Sequence, residues 1–423
     1  MRTRTTTGGL GWNPVNILVR KVTGSFSLLC AWVWLLGGLP SSAADWTHYR
    51  GPAGNGVSAE AFNPPPGRDL GVLWRAKVGV GTSSCVLGEG RLYTMGHVGA
   101  MDWVYCLDAA TGTPVWSFQQ PVSLDPNLFE GGTRSTPTLD GTRLFALSHE
   151  GQVVCLDSAT GKLLWRRHLV RDFGGRKPDW GFSGAPLVDG RRLILDAGGV
   201  GSSTIALDVD SGQLVWKSGS EPAGYAAPLI LHLDSVRTLV VLKGDVLLGL
   251  DPEDGRALWR LPWKTSYNVN AATPLQVASN RLLITSGYNM GACVVAIEGW
   301  RPREVWRNKN LRSHINSPVF WGGNVFGVDG NTGGGNLVCL DPVTGARRWE
   351  EKSVKGGALM VAGAKLILVS EKGDLVLADA RGEAFQQVSR QTVLTQRTWA
   401  QPVLSNGRLY LRDNQGHLVA LAP

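Results

Sequence analysis

Beyond Asp69 the chain is written in short apolar runs, such as Arg143-Leu-Phe-Ala-Leu and Gln152-Val-Val-Cys-Leu, divided by Gly turns. Short apolar runs of this length, bounded by turn formers, predict strands. A fixed unit follows them: Asp108-Ala-Ala-Thr-Gly112-Thr-Pro-Val-Trp116, with the same Asp-x-x-x-Gly-x-x-x-Trp spacing from Asp157 to Trp165, Asp208 to Trp216, Asp251 to Trp259 and Asp341 to Trp349. Five copies with unvarying internal spacing mark a repeat architecture. Glu298 to Trp306 keeps the length without the Gly at its fifth place, and Asp379-Ala-Arg-Gly382-Glu-Ala-Phe385 is shorter, so both read as degenerate copies.

The unit's residues have physical roles. The Asp that ends one strand accepts hydrogen bonds from turn amides, Gly supplies a positive φ, and Trp is expected to pack its strand against the next repeat. Two strands precede each Asp. A third begins near a recurrent Pro, at Pro137, Pro186, Pro228, Pro274, Pro318 and Pro402. With the Trp strand this makes four strands per repeat, the unit of a β-propeller blade. The last copy stops at Pro423 without a Trp strand, and Asp69-Leu-Gly-Val-Leu-Trp74-Arg-Ala-Lys, ahead of the first full copy, can supply it. The expected fold is therefore all-β: an eight-bladed propeller of four-stranded antiparallel blades, closed by pairing of the N- and C-terminal strands, which also removes both exposed edges. Residues 1–44 read as a signal peptide with an N-terminal extension, 45–68 as a lead-in and 69–423 as the propeller.

Composition sharpens this outline. In 423 residues there are 55 Gly, 22 Pro and 17 Trp, a profile of short, punctuated elements around a large core. Arg2, Arg4, Arg20 and Lys21 precede the first acidic residue, Asp45, so half of the formal charge of +8 belongs to the leader. The mature chain is too nearly balanced for a nucleic-acid binder. Arg20-Lys21, the apolar run Phe26 to Leu36 and Leu39-Pro40-Ser41-Ser42-Ala43-Ala44 have the order of an export signal, with cleavage expected near Ala43 or Ala44. This implies a periplasmic or secreted destination and no stable membrane span after cleavage. A retained anchor is the alternative. Cys30 lies in the leader, and the five remaining cysteines imply no disulfide framework. Cys106, Cys155 and Cys339 share a repeat position with Ala206, Gly249, Ala296 and Ala420, and read as small residues at a tight inter-blade contact.

The repeats, with Trp46-Thr-His-Tyr-Arg50-Gly-Pro52, Trp180-Gly-Phe-Ser-Gly-Ala-Pro-Leu and Ser286-Gly-Tyr288, resemble the pyrroloquinoline-quinone (PQQ)-like propeller superfamily over essentially 46–423. That superfamily includes quinoprotein alcohol dehydrogenases and the propeller lipoprotein of the outer-membrane assembly machine. The resemblance specifies the fold far more than a reaction. A quinoprotein dehydrogenase would imply bound PQQ, calcium and a carboxylate base. The chain has neither the adjacent Cys-Cys pair nor a Cys-x-x-Cys-His haem motif that marks many such enzymes.

Segments that join one blade's Trp strand to the next blade's innermost strand reach the mouth of the central channel. The residues expected there are Arg134, Trp180, Tyr225, Asn268, Asn270, His314, Asn316 and Trp399, with Ser135, Phe182 and Gln401 beside them. Aromatic surfaces ringed by amides, a His and an Arg suit a flat polar ligand, a peptide or a sugar. Each also has a structural role to play: the aromatics as channel plugs, the Asn residues as partners of loop backbone, His314 as a polar loop residue, and Arg134 in an ion pair. The connections Ser117 to Arg134 and Arg166 to Phe182 are longer than their equivalents and predict a lid over one sector. The leading functional expectation is a noncatalytic extracytoplasmic module that binds a protein partner or a small polar ligand. A divergent PQQ- and calcium-dependent dehydrogenase and a glycan-binding propeller are the alternatives.

Overall fold

The computed structural model describes residues 45–127 and 129–423, so the export-signal reading of 1–44 lies outside the described residues. Eight sheets form, seven four-stranded and one five-stranded, at 86–121, 138–168, 187–218, 229–262, 275–308, 319–355, 358–392 and 403–422, here called blades 1 to 8. Blades 1 to 7 each run in sequence order from an innermost to an outermost strand, and the outermost carries the Trp in all but blade 7. Blade 8 is completed by Gly71–Lys77, which pairs antiparallel with His417–Ala422 and sets Trp74 opposite Ala420. The ring is closed as the terminal pattern requires.

The repeat unit is a latch between blades. Asp108 Oδ1 accepts the amides of Ala110 and Thr111 at 3.0 and 2.8 Å, and Asp157, Asp208, Asp251 and Asp341 cap their turns in the same way. Gly112 sits at φ 73°, where a Cβ would lie 2.6 Å from the Trp74 ring of the preceding blade. Glycine thus serves twice here, for the turn and for the indole resting on it. The indole N–H then donates to a carbonyl in the same neighbouring turn: Trp74 to Ala109, Trp116 to Ser158, Trp165 to Val209, Trp216 to Pro252, Trp306 to Pro342 and Trp349 to Arg381, at 2.9–3.2 Å.

The two degenerate positions change this latch. Glu298 pairs directly with Arg301 around a two-residue turn in which Gly299 and Trp300 both have positive φ, 52° and 67°, the geometry of a tight hairpin. The longer strands shift the register, so Val294, not Ala296, stands opposite Trp306, which corrects the repeat alignment at that position. This turn offers no carbonyl to the preceding blade, and the buried Trp259 Nε1 has no partner. Its indole lies over Gly249 of its own blade instead. Between blades 7 and 8 there is no Trp. There the Gln391 carboxamide accepts from the Leu70 amide at 2.5 Å and donates to its carbonyl at 3.3 Å.

Apolar clusters fill the spaces between adjacent blades. Phe145, Trp165 and Leu193 join blades 2 and 3, and Phe326, Leu359 and Leu366 join blades 6 and 7. All five described cysteines are buried thiols, with Cys106, Cys155 and Cys339 opposite Trp116, Trp165 and Trp349. One helical turn, Leu169–Phe173, occupies part of the connection expected to be wholly loop. It ends on Gly174 at φ 72°, a left-handed cap that the Gly-Gly pair makes available. Among the described residues no helix is long and apolar enough to cross a membrane.

The lead-in is part of the propeller. Trp46 exchanges two backbone hydrogen bonds with Leu87 of blade 1 at 2.9 Å, and Thr47 accepts from Leu139 of blade 2. Arg50, buried and at φ 66°, donates to Pro318 O, just ahead of blade 6, at 2.6 Å and to Asn55 O at 2.7 Å. Val57–Ser58 then adds a short parallel strand to the inner edge of blade 7. The segment crosses the channel, and Tyr49 lies on its inner side.

Candidate functional site

Opposite the lead-in, the channel opens as a cup of about 250 Å³. Six of the eight expected residues line it: Arg134, Trp180, Tyr225, His314, Asn316 and Trp399. Tyr49 contributes to its base, so the cup is blind. The residues just ahead of the recurrent Pro converge because every innermost strand starts at this end, and their hydrogen bonds stitch one blade to the next. Ser83 Oγ donates to Ser135 O at 2.6 Å, Ser84 Oγ to Gln401 O at 2.6 Å, Asn316 Nδ2 to Gly357 O, and Gln401 Nε2 to Leu359 O.

Asn268 and Asn270 do not line the cup. Asn270 is fully buried: its Nδ2 donates to the carbonyls of Lys243, Gly244 and Trp263 at 2.9, 3.0 and 3.0 Å, and its Oδ1 accepts from Ser286 Oγ at 2.7 Å. That is the backbone-satisfying role anticipated for these amides. Asn268 is exposed at φ 56°, next to Tyr267 at φ 63°, and this pair of left-handed residues turns the connection outward. Tyr267, absent from the sequence reading, stands at the rim in its place.

Aromatic rings run around half the rim in steep mutual contacts. Trp180 meets Tyr225 at 6.2 Å and Tyr267 at 6.5 Å, Tyr267 meets Tyr288 at 5.7 Å, and Tyr288 meets His314 at 4.8 Å, with interplanar angles from 62° to 82°. Facing them are Phe129 and Trp399, edge to face at 4.7 Å. The Arg397 guanidinium lies 5.3 Å from both ring centroids and donates to Glu130 at 3.0 Å. Trp399 Nε1 donates to Glu371 at 2.8 Å. Phe129, Glu130 and Glu371 were also missed, because they lie in connections where the repeat imposes no pattern. Tyr49 had a signal in the aromatic of the Trp-x-x-aromatic-Arg-Gly-Pro segment.

Charge in the cup is largely spent. Arg134 donates to the carbonyls of Trp180 and Asp125 and lies 3.6 Å from the Asp125 carboxylate, so it braces the 122–137 connection. Burial lowers its pKa and Asp125 opposes the shift. His314, 9% exposed, accepts the Thr332 amide at Nδ1 while its Nε2 has no partner, and burial holds its pKa down at about 4, so the ring is neutral near pH 7. His149 beneath Arg134 is likewise held at about 4 by burial and then by that guanidinium. Burial pushes the Tyr225 hydroxyl up to about 12, with Asp179 adding to the shift.

PQQ with calcium would make two demands of the cup. A polyanionic quinone requires free cationic donors, and calcium requires several convergent oxygen ligands. The charged side chains lining the cup are Arg134 and Glu130, both already engaged, and among the described residues no three His, Cys, Asp or Glu side chains converge as a metal site. This donor set does not fit that pair.

A family model described as outer membrane protein assembly factor BamB matches residues 100–351 and 303–423. No curated protein sequence matches the chain. Among solved structures, BamB from Moraxella catarrhalis superposes with a TM-score of 0.61 at 16% identity, covering 84% of this chain and 98% of that one. The quinohemoprotein alcohol dehydrogenase from Comamonas testosteroni gives 0.64 at 14%, over 89% and 80% of the two chains. A europium-containing methanol dehydrogenase gives 0.65 at 12%, over 89% of each. At such identities the likeness concerns the fold.

Proposed function

The chain belongs to the PQQ-like propeller family whose model is described as outer membrane protein assembly factor BamB, and from that premise we propose a noncatalytic extracytoplasmic binding module. It holds a protein partner or a small polar ligand in its blind aromatic cup. One observation carries this reading: the chain spends its own lead-in on closing the channel and sets a wall of aromatic rings at the open end. Blind, mostly apolar concavities with a few fixed polar groups are the usual form of a binding site. The family model's description and the export-type leader support an extracytoplasmic location. The dehydrogenase alternative shares the fold, yet the cup's donors do not suit its cofactor. The glycan alternative shares the aromatic wall and predicts retention on immobilised polysaccharide.

The reading is tested in cells with the full chain carrying a photo-crosslinking amino acid at Tyr267, which is 68% exposed at the rim, or at Val343, 62% exposed in the blade 6 turn of the opposite face. A discrete adduct from position 267, absent from 343 and lost with Trp180→Ala, is the expected result. Identical patterns at the two positions would refute it. So would dye-linked alcohol oxidation by the purified protein loaded with calcium and PQQ.

A further inference from the structure

The two halves of the rim differ in one respect. At Phe129 and Trp399 the rings, the Glu130 carboxylate and a guanidinium form a complete set, with the chain's own Arg397 as the cation. Across the cup, Trp180, Tyr225, Tyr267 and Tyr288 present rings steeply inclined to one another, as the walls of a cage are. No cationic side chain of the described residues stacks on any of these four. A carboxylate neighbours them in the chain: Asp179, next to Trp180, is exposed, and it adds to the rise that burial imposes on the Tyr225 hydroxyl's pKa. The described ion pairs engage Asp125 and Glu130 and leave Asp179 out.

The backbone gives an independent sign. Tyr267 is held at positive φ, 63°, in the connection between blades 4 and 5, whereas Tyr288 and Asn289, at 50° and 60°, are the central pair of the Gly287–Met290 hairpin turn. Bulky L-residues reach that region only at a cost in free energy, and such outliers gather at ligand sites. A hydrophobic plug needs no such expense, because rings packed for burial can be carried on relaxed backbone. Tyr267 is moreover mostly solvent-exposed, which a plug would not be.

We infer that the Trp180–Tyr225–Tyr267–Tyr288 wall, with Asp179, is a cage for a cationic group, specifically the guanidinium of an arginine presented by the cup's partner. The inference rests on the binding role proposed above and names its chemistry. Ring quadrupoles attract a cation within about 6 Å of their centroids, and several rings around one point add their attractions. A planar guanidinium can stack on one ring while its edge reaches a carboxylate, the arrangement Arg397 already adopts across the cup.

The test uses the full-length protein and two small probes, N-acetylarginine amide and its neutral isostere N-acetylcitrulline amide, titrated by saturation-transfer NMR. The arginine probe is expected to bind saturably, with the citrulline probe weaker by about tenfold. Tyr267→Ala and Asp179→Asn, both at exposed positions, should each weaken the arginine probe by roughly threefold or more, with Tyr267→Phe restoring it. Equal binding of the two probes that Trp180→Ala still abolishes would overturn the cation preference while leaving the cup a binding site. Failure of both probes to bind would overturn the cage and leave the cross-linking result at position 267 to stand or fall by itself.

Discussion

Trp165 and Trp259 occupy equivalent places in blades 2 and 4, and their exposures are nearly equal, 7% and 4%. Replacing either by Phe removes a similar amount of apolar surface, so the packing loss largely cancels between them. The polar consequence does not. At Trp165 the substitution removes a 2.9 Å bond and strands the Val209 carbonyl, within a residue that is itself buried. Such a bond contributes about 1 kcal/mol net, and a buried acceptor left without a partner costs about 1–3 kcal/mol. At Trp259 the indole N–H already has no partner, because the tight Gly299-Trp300 turn has withdrawn the carbonyl it would meet. Trp259→Phe removes that unsatisfied donor and recovers part of its desolvation cost. The Trp165→Phe variant should therefore be less stable than Trp259→Phe by about 2 kcal/mol or more. Urea unfolding followed by circular dichroism reads the difference as a shift in midpoint at unchanged slope. Midpoints that agree within error would refute the latch as the reason for the repeated Trp.

Three further outcomes follow from the same geometry. Asn270→Ala removes four hydrogen bonds in a buried site and should cost about 3 kcal/mol, whereas Asn268→Gly, at an exposed left-handed position, should be neutral or slightly stabilising in the same assay. Lys243, fully buried, bonds to Asp196 at 2.6 Å and to Ser203 O at 2.8 Å. Lys243→Met leaves the carboxylate buried without its counter-charge and should cost about 3–5 kcal/mol, most of which Asp196→Leu in the same chain should restore. His314 is held at about 4 in the fold against an ordinary value near 6.5, so its contribution is complete above pH 6.5 and is lost as pH falls toward 4. His149 acts in the same direction, while Asp102, raised to about 6 mainly by burial, gains stability below pH 6 and opposes them. His314→Gln should flatten the acid slope of stability by about 3 kcal/mol between pH 7 and 4, and parallel slopes for variant and parent would contradict this.

The fold was legible because the latch is local in sequence. Asp, Gly and Trp stand at fixed spacing, since one turn must cap itself, pass through positive φ and meet an indole from the neighbouring blade. Ring closure was legible from a deficit, the missing Trp strand after Pro423 and the surplus one at Trp74. What escaped were features that no repeat constrains. The register at Val294 depends on a two-residue turn that the nine-residue spacing concealed. The short helix at Leu169 depends on a Gly cap that is equally at home in a loop. At the cup, positions ahead of the recurrent Pro were legible because topology brings them together. The outward swing of Tyr267 and the placing of Phe129 and Glu130 depend on irregular backbone between blades.

The lead-in shows why the cup is tied to the completed ring. Tyr49 lines the cup's base, and its neighbour Arg50 is anchored 268 residues away on Pro318, while Gly56 and Val57 are held by Val361. Contacts of such separation form only after loop-closure entropy has been offset by the intervening blades. The strand that completes blade 8 follows at Gly71, so one stretch of chain both floors the cup and pairs with the last strand. The floor of the cup is therefore in place only once the lead-in has docked on blades far apart in the chain.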